Sequence, residues 1–209
     1  MLETLVVAFT TFFATIGPVD VAALFAVLAP TATLEQRRSM AVRGTAIATL
    51  ILLLFALFGD AVLRSLGVSL AALQLGGGIL LLLIGIDMVF VRPSGGTTTT
   101  REETREATSR PDLAVFPLAT PLIAGPGAIS ATMLLMAQAK GHWQAQILVV
   151  LVLLLVLLLT LALLLIASRV QRFLGVTGLH VISRVFGVLL TALAAQFIID
   201  GVRHSGLLG

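Results

Sequence analysis

Apolar residues run in long blocks along this chain, and polar residues gather between the blocks. Stretches long enough to cross a bilayer, roughly 20 residues each, lie at about 5–29, 43–63, 70–91, 113–136, 146–167 and 181–199. The pattern predicts an all-α membrane protein with six transmembrane helices. The fifth block, Ile147 to Ala167, is interrupted only by Thr160, as expected of a helix that faces lipid on much of its surface. Blocks one, three, four and six carry the Gly, Pro and polar residues and are the better candidates for the interior. The opening "MLETLVVAF" has an acid and no basic residue before its apolar run. It is expected to begin the first membrane helix rather than to be a cleavable leader.

Composition agrees with that reading. Of 209 residues 58% are hydrophobic and 11% charged, with a mean hydropathy of +1.12, which leaves too little polar surface to cover a soluble globule. A pI near 11.0 could suggest nucleic acid, but the net charge is only +3 and no Tyr or Cys titrates below the arginines. No nucleic-acid partner is expected. The absence of Cys excludes disulfides, thiolate metal sites and cysteine nucleophiles. His142, His180 and His204 lie in or beside expected loops, outside any paired metal-ligand motif, and no Ser sits in a GxSxG context. Neither an enzyme nor a metal or cofactor site is expected, although coupling to H+ or Na+ stays open.

The basic residues set an orientation. Arg37, Arg38 and Arg43 follow the first block, Arg92, Arg101, Arg105 and Arg110 the third, and Arg169, Arg172 and Arg184 the fifth; Arg64, Lys140 and Arg203 fall on the other side. The positive-inside rule places both termini outside the cytoplasm. The loop from Arg92 to Arg110, with its threonine run and mixed charges, reads as a flexible cytoplasmic linker over 92–112. It separates residues 1–91 from 113–209.

These halves resemble each other. Gly17-Pro18 and Gly125-Pro126 are 108 positions apart, and so are "RSLGVS" (Arg64 to Ser69) and "RFLGVT" (Arg172 to Thr177). Three-helix repeats must insert with opposite orientation, which predicts the two inverted repeats of many secondary transporters. In that plan the first and fourth spans break at Gly-Pro. Pro removes a backbone donor and disfavours the preceding turn, while Gly followed by Pro is a preferred helix start. A half-helix beginning at Pro126 would aim its free N–H groups, around Gly127 and Ala128, into the protein, where they suit a carboxylate.

After Pro18 the chain places Asp20, whereas no charge follows Pro126. An acid at mid-membrane depth is a functional candidate by default; Asp20 could bind an ammonium group, carry a proton or contact a cation. The plainer alternative is that it caps its own half-helix. Simple packing kinks are the alternative for both Gly-Pro pairs. Ser183, Gly187, Thr191 and Ala195 recur every four residues and predict a close-packing face. Gln74, Gln138 and Gln196 stand near span ends, where they are expected to be solvated. Asp87 and Asp200 are expected to anchor at the interface near Arg92 or Arg203.

"VFPLATPLIAGPGAIS" (Val115 to Ser130), "GGILLLLIGIDMVF" (Gly77 to Phe90) and "AAQFIIDGV" (Ala194 to Val202) resemble the MarC family of inner-membrane proteins, within the LysE-like transporter superfamily. The similarity covers nearly the whole chain. It departs at "IGPVDVAALF" (Ile16 to Phe25): Gly17 replaces the Asn or Asp that many relatives carry before this Pro, Asp20 follows it, and a second Pro is missing. The resemblance implies six helices in inverted repeats and transport of small neutral amino acids such as glycine or alanine. Gly17, Pro18 and Asp20 with Gly125, Pro126, Gly127 and Ala128 are the expected substrate-binding residues, and Asp20 the coupling candidate. The expected partners are a small-molecule substrate and the lipid bilayer. A non-transporting structural or regulatory protein, or an exporter of an unrelated small solute, is the competing reading.

Overall fold

A computed structural model describes residues 2–29, 32–90 and 113–205, and everything described is helix or the turns between helices. The chain runs α1 (Leu2–Ile16), α2 (Pro18–Leu28), α3 (Leu34–Ser65), α4 (Leu70–Phe90), an irregular coil α5 (Ala114–Ile123), α6 (Pro126–Gln138), α7 (Trp143–Leu165) and α8 (Ala167–His204). Among the described residues, five stretches are long and apolar enough to cross a membrane: Leu2–Ala26, Leu34–Ser65, Leu70–Phe90, Trp143–Leu165 and His180–His204. Counting the bent α5–α6 pair as one span makes six. The linker expected at 92–112, with its four arginines, lies outside the described residues.

Helix α7 shows how the bundle meets lipid. Val149, Val152, Val156 and Leu157 are buried, while Leu151, Leu154, Leu155 and Leu158 are exposed. Its two faces are equally apolar, which fits a helix with protein on one side and acyl chains on the other.

The tightest packing joins α4 to α8 through glycine. A Cβ on Gly187 would lie 2.8 Å from Met88 Cβ and 2.9 Å from Gly85 O, and one on Gly78 would lie 3.1 Å from Ala194 O. Small residues on both helices let the backbones approach this closely. The expected small-residue face is therefore partly right: Gly187 and Thr191 pack there, whereas Ala195 is exposed and Ala194 is buried.

Helix α3 begins at a reciprocal cap, in which Gln36 N donates to Thr33 Oγ1 and Thr33 N to Gln36 Oε1. One turn on, Arg37 donates through Nη2 to Ala29 O, the residue after α2, and through Nε to Ala32 O. The three early arginines thus sit on helix, not in a loop. The same correction applies to the basic stretch after the fifth span. Only Ile166 separates α7 from α8, so Arg169, Arg172, His180 and Arg184 all fall on α8.

The second pair of matching motifs takes two different backbones. "RSLGVS" crosses the end of α3 and turns at Gly67 (φ +68°), whereas "RFLGVT" is continuous helix. A glycine tolerates a helix interior at a cost of about 1 kcal/mol, so the surroundings decide.

Coil α5 departs furthest from a regular helix. Phe116 and Thr120, each preceding a proline, have extended backbones, as the proline ring demands of its predecessor. Both X-Pro bonds are cis. Helix α3 supports the coil at Gly44, where a Cβ would lie 2.7 Å from Leu118 Cδ2 and 3.0 Å from Ala114 O. Gly44→Val is expected to cost about 1–3 kcal/mol by overpacking, seen as a lower unfolding temperature in detergent.

Candidate functional site

The two Gly-Pro dipeptides stand at helix junctions of different kinds. Gly17 adopts φ 60°, ψ 57°, a left-handed conformation that glycine enters at no steric cost. Gly17 N bonds Phe13 O at 3.0 Å and Val21 N bonds Gly17 O at 2.9 Å, so α1 and α2 pass through the region as one span. Gly125 is instead extended (φ −80°, ψ 171°), and α5 and α6 meet at 52°. No side chain caps the start of α2 or α6.

Asp20 is not a cap. Its carboxylate accepts a hydrogen bond from Ser183 Oγ on α8, at 3.0 and 3.1 Å to its two oxygens, and His180, one turn before Ser183, lies within electrostatic reach. Phe13 of α1 and Phe186 of α8 stack beside this pair with ring centroids 4.2 Å apart. The cavity that Asp20 shares with Gly17, Met88, Ser183 and the two rings is about 10 Å³, barely room for one water.

The other junction faces α1 and α4. A Cβ on Gly127 would lie 2.5 Å from Ile84 Cδ1 and 3.9 Å from Thr15 Cβ. Gly125, Gly127, Ala128, Gly17 and Pro18 are buried, while Pro126 is exposed. Thr15, two residues before Gly17, thus meets Gly127, two residues after Gly125. The cavity at Asp20, however, is lined by α1, α2, α4 and α8 and by none of Gly125, Pro126, Gly127 or Ala128. Helix α4 touches both places, with Ile84 at Gly127 and Met88 at Asp20.

A scan against protein-family models matches residues 2–205 to the MarC family integral membrane protein model. The chain belongs to the MarC family. Among curated MarC-like relatives, a UPF0056 membrane protein of Methanocaldococcus jannaschii is 39% identical over 202 residues, covering 97% of both chains. One from Archaeoglobus fulgidus is 34% identical, over 94% of this chain and 91% of its own. The UPF0056 membrane protein YhcE of Escherichia coli is 31% identical, over 93% and 90%. No solved structure matches. As a MarC-family protein the chain is an integral, multi-pass membrane protein.

Sequence reasoning missed Ser183 as the partner of Asp20, because its four-residue spacing with Gly187 and Thr191 read as packing. Its hydroxyl was the signal: a buried polar group needs a partner. Ile84, Thr15, Phe13 and Phe186 carried no signal beyond apolar or small character. Gln74 is also corrected. It is 2% exposed, not solvated, and bonds His204 Nδ1 at 2.9 Å, whereas Gln138 and Gln196 are exposed and Gln196 donates to Asp200. Among the described residues, no cluster of three or more His, Asp or Glu could hold a metal ion.

Proposed function

We propose that this MarC-family chain is a secondary transporter of small neutral amino acids such as glycine or alanine. In this reading it lies in the inner membrane with both termini outside the cytoplasm, and residues 1–91 and 113–209 are inverted repeats that rock against each other. The observation that carries the reading is the way α4 spans the two junctions. Ile84 lies at Gly127 and Met88 at Asp20, and four helical residues rise about 6 Å, close to the reach of a small zwitterion. The uncapped N–H groups of Gly127 and Ala128 suit a carboxylate. Asp20 suits the ammonium group or a coupling H+ or Na+. The cavity of about 10 Å³ corresponds to an occluded form, and loading requires Asp20 to part from Ser183.

Uptake of radiolabelled glycine and alanine into proteoliposomes tests the reading. Saturable uptake above that of empty liposomes is expected under an imposed proton or sodium gradient. No uptake under either would return the protein to the unrelated-solute or non-transporting reading. Gly127→Val is expected to weaken apparent affinity by about tenfold or more, because the added branch fills the approach to the α6 N–H groups. Unchanged affinity would mean the substrate does not come close to the backbone there.

A further inference from the structure

A second polar space lies at the end of the bundle that carries the start of α1. It is a cavity of about 370 Å³ where Glu3 and Thr4 of α1 meet Gln138 at the end of α6 and His142 and Gln144 at the start of α7, over an apolar floor that includes Val7 and Leu135. We propose that this cavity is the outer vestibule for a small zwitterionic solute, and that the seam between α1 and α6 is its access route to the Gly-Pro junctions. The inference rests on the transport reading above.

Register is the first reason. Helices α1 and α6 run antiparallel: Glu3, Thr4 and Val7 share the cavity with Leu135, Gln138 and Ala139, and two turns deeper Thr15 meets Gly127. Each step inward along α1 is matched by a step back along α6, so the seam begins in the cavity and ends at Gly17 and Gly125. The same register sets Thr11 opposite Ala131.

Chemistry is the second. Below Val7 and Leu135 the seam carries Thr11 and Thr15 against Ala131 and Gly127, small side chains and hydroxyls where bulky apolar residues would seal two helices. Thr15 Oγ1 bonds back to Thr11 O at 2.7 Å. Thr11 Oγ1 is fully buried and has no hydrogen-bond partner among the described residues. A buried hydroxyl left unpaired is disfavoured, and one on a solute path gains its partner when the path is filled. At the mouth, Glu3 offers an acceptor to an ammonium group, and the amides of Gln138 and Gln144 offer donors to a carboxylate. The set therefore suits a zwitterion better than an ion of one sign.

The chain's lack of cysteine makes the route directly testable. Single-cysteine variants Gln138→Cys, Thr11→Cys and Val6→Cys, reconstituted in vesicles, are treated with a cationic, membrane-impermeant methanethiosulfonate from either side. Gln138→Cys is expected to react readily from the face that carries Glu3. Thr11→Cys is expected to react from that same face about 10- to 1000-fold more slowly, in proportion to a minor open state. Val6→Cys, exposed on α1 outside the cavity, is expected to stay unmodified in lipid. Saturating glycine or alanine is expected to slow modification of Thr11→Cys. Should that variant not fold, Ala131→Cys on the facing helix repeats the measurement. Modification of Thr11→Cys only from the opposite face, or none in either seam variant while Gln138→Cys reacts, overturns the route even if uptake is observed. Modification as expected, with neither protection nor uptake by the two amino acids, upholds the route and sinks the amino-acid reading instead.

Discussion

Gly187→Val is expected to damage the fold more than any other single substitution considered. The new Cβ would meet Met88 Cβ at 2.8 Å and two backbone atoms of α4, Gly85 O and Val89 N, at 2.9 Å. A flexible side chain can swing away from such a collision, but a neighbouring helix backbone cannot. The cost should reach the upper end of the overpacking range, about 3 kcal/mol. For a chain of this size that corresponds to an unfolding temperature roughly 6–12 °C lower. Gly76→Val is the matched control, since a Cβ there meets nothing within 4 Å. Equal losses in the two variants would show that α4 and α8 do not interlock as described.

Asp20→Asn is expected to have the largest effect on activity. The carboxylate lies inside the first span, with Ser183 as its hydrogen-bond partner and two phenylalanine rings beside it. The amide keeps its size and can still bond the hydroxyl, but it can neither release a proton nor attract a cation. Uptake should fall by about tenfold or more, and what remains should lose its response to the imposed proton or sodium gradient. Ser183→Ala should reduce uptake while leaving that response in place, because the charge survives. If both variants only lower the unfolding temperature and leave the gradient dependence intact, the pair is structural.

Much of the fold was legible because lipid imposes a simple rule on sequence. A block of apolar residues that exceeds the hydrocarbon thickness has few alternatives to a spanning helix, and each predicted block coincides with one helix or with a consecutive pair, α1–α2 for the first and α5–α6 for the fourth. Helix ends were harder to read. Arg37 and Arg169 looked like loop residues because they are charged, yet a helix continues past the membrane surface without penalty when its polar groups reach water. In the fourth span the expected break at Gly125-Pro126 covers only the end of the irregular stretch; Pro117 and Pro121 were in plain view, and each pushes the residue before it, Phe116 and Thr120, into an extended backbone. At the two junctions the sequence drew attention to Asp20 and to the glycines by residue type alone. It could not supply Ser183 or Ile84, because those contacts depend on how α4 and α8 pack around the first span. That information lies in the tertiary arrangement and not in any local pattern.

The arginine at the foot of α3 has a mechanical meaning. Arg37 holds the carbonyls of Ala29, just past α2, and Ala32, just before the cap of α3, and the reciprocal cap of Thr33 and Gln36 stiffens the corner between the two helices. The far end of α2 is therefore clamped, whereas its near end meets α1 at a single left-handed glycine. Under the transport reading, a swing that draws Asp20 away from Ser183 would pivot at Gly17 and load the corner that leads into α3.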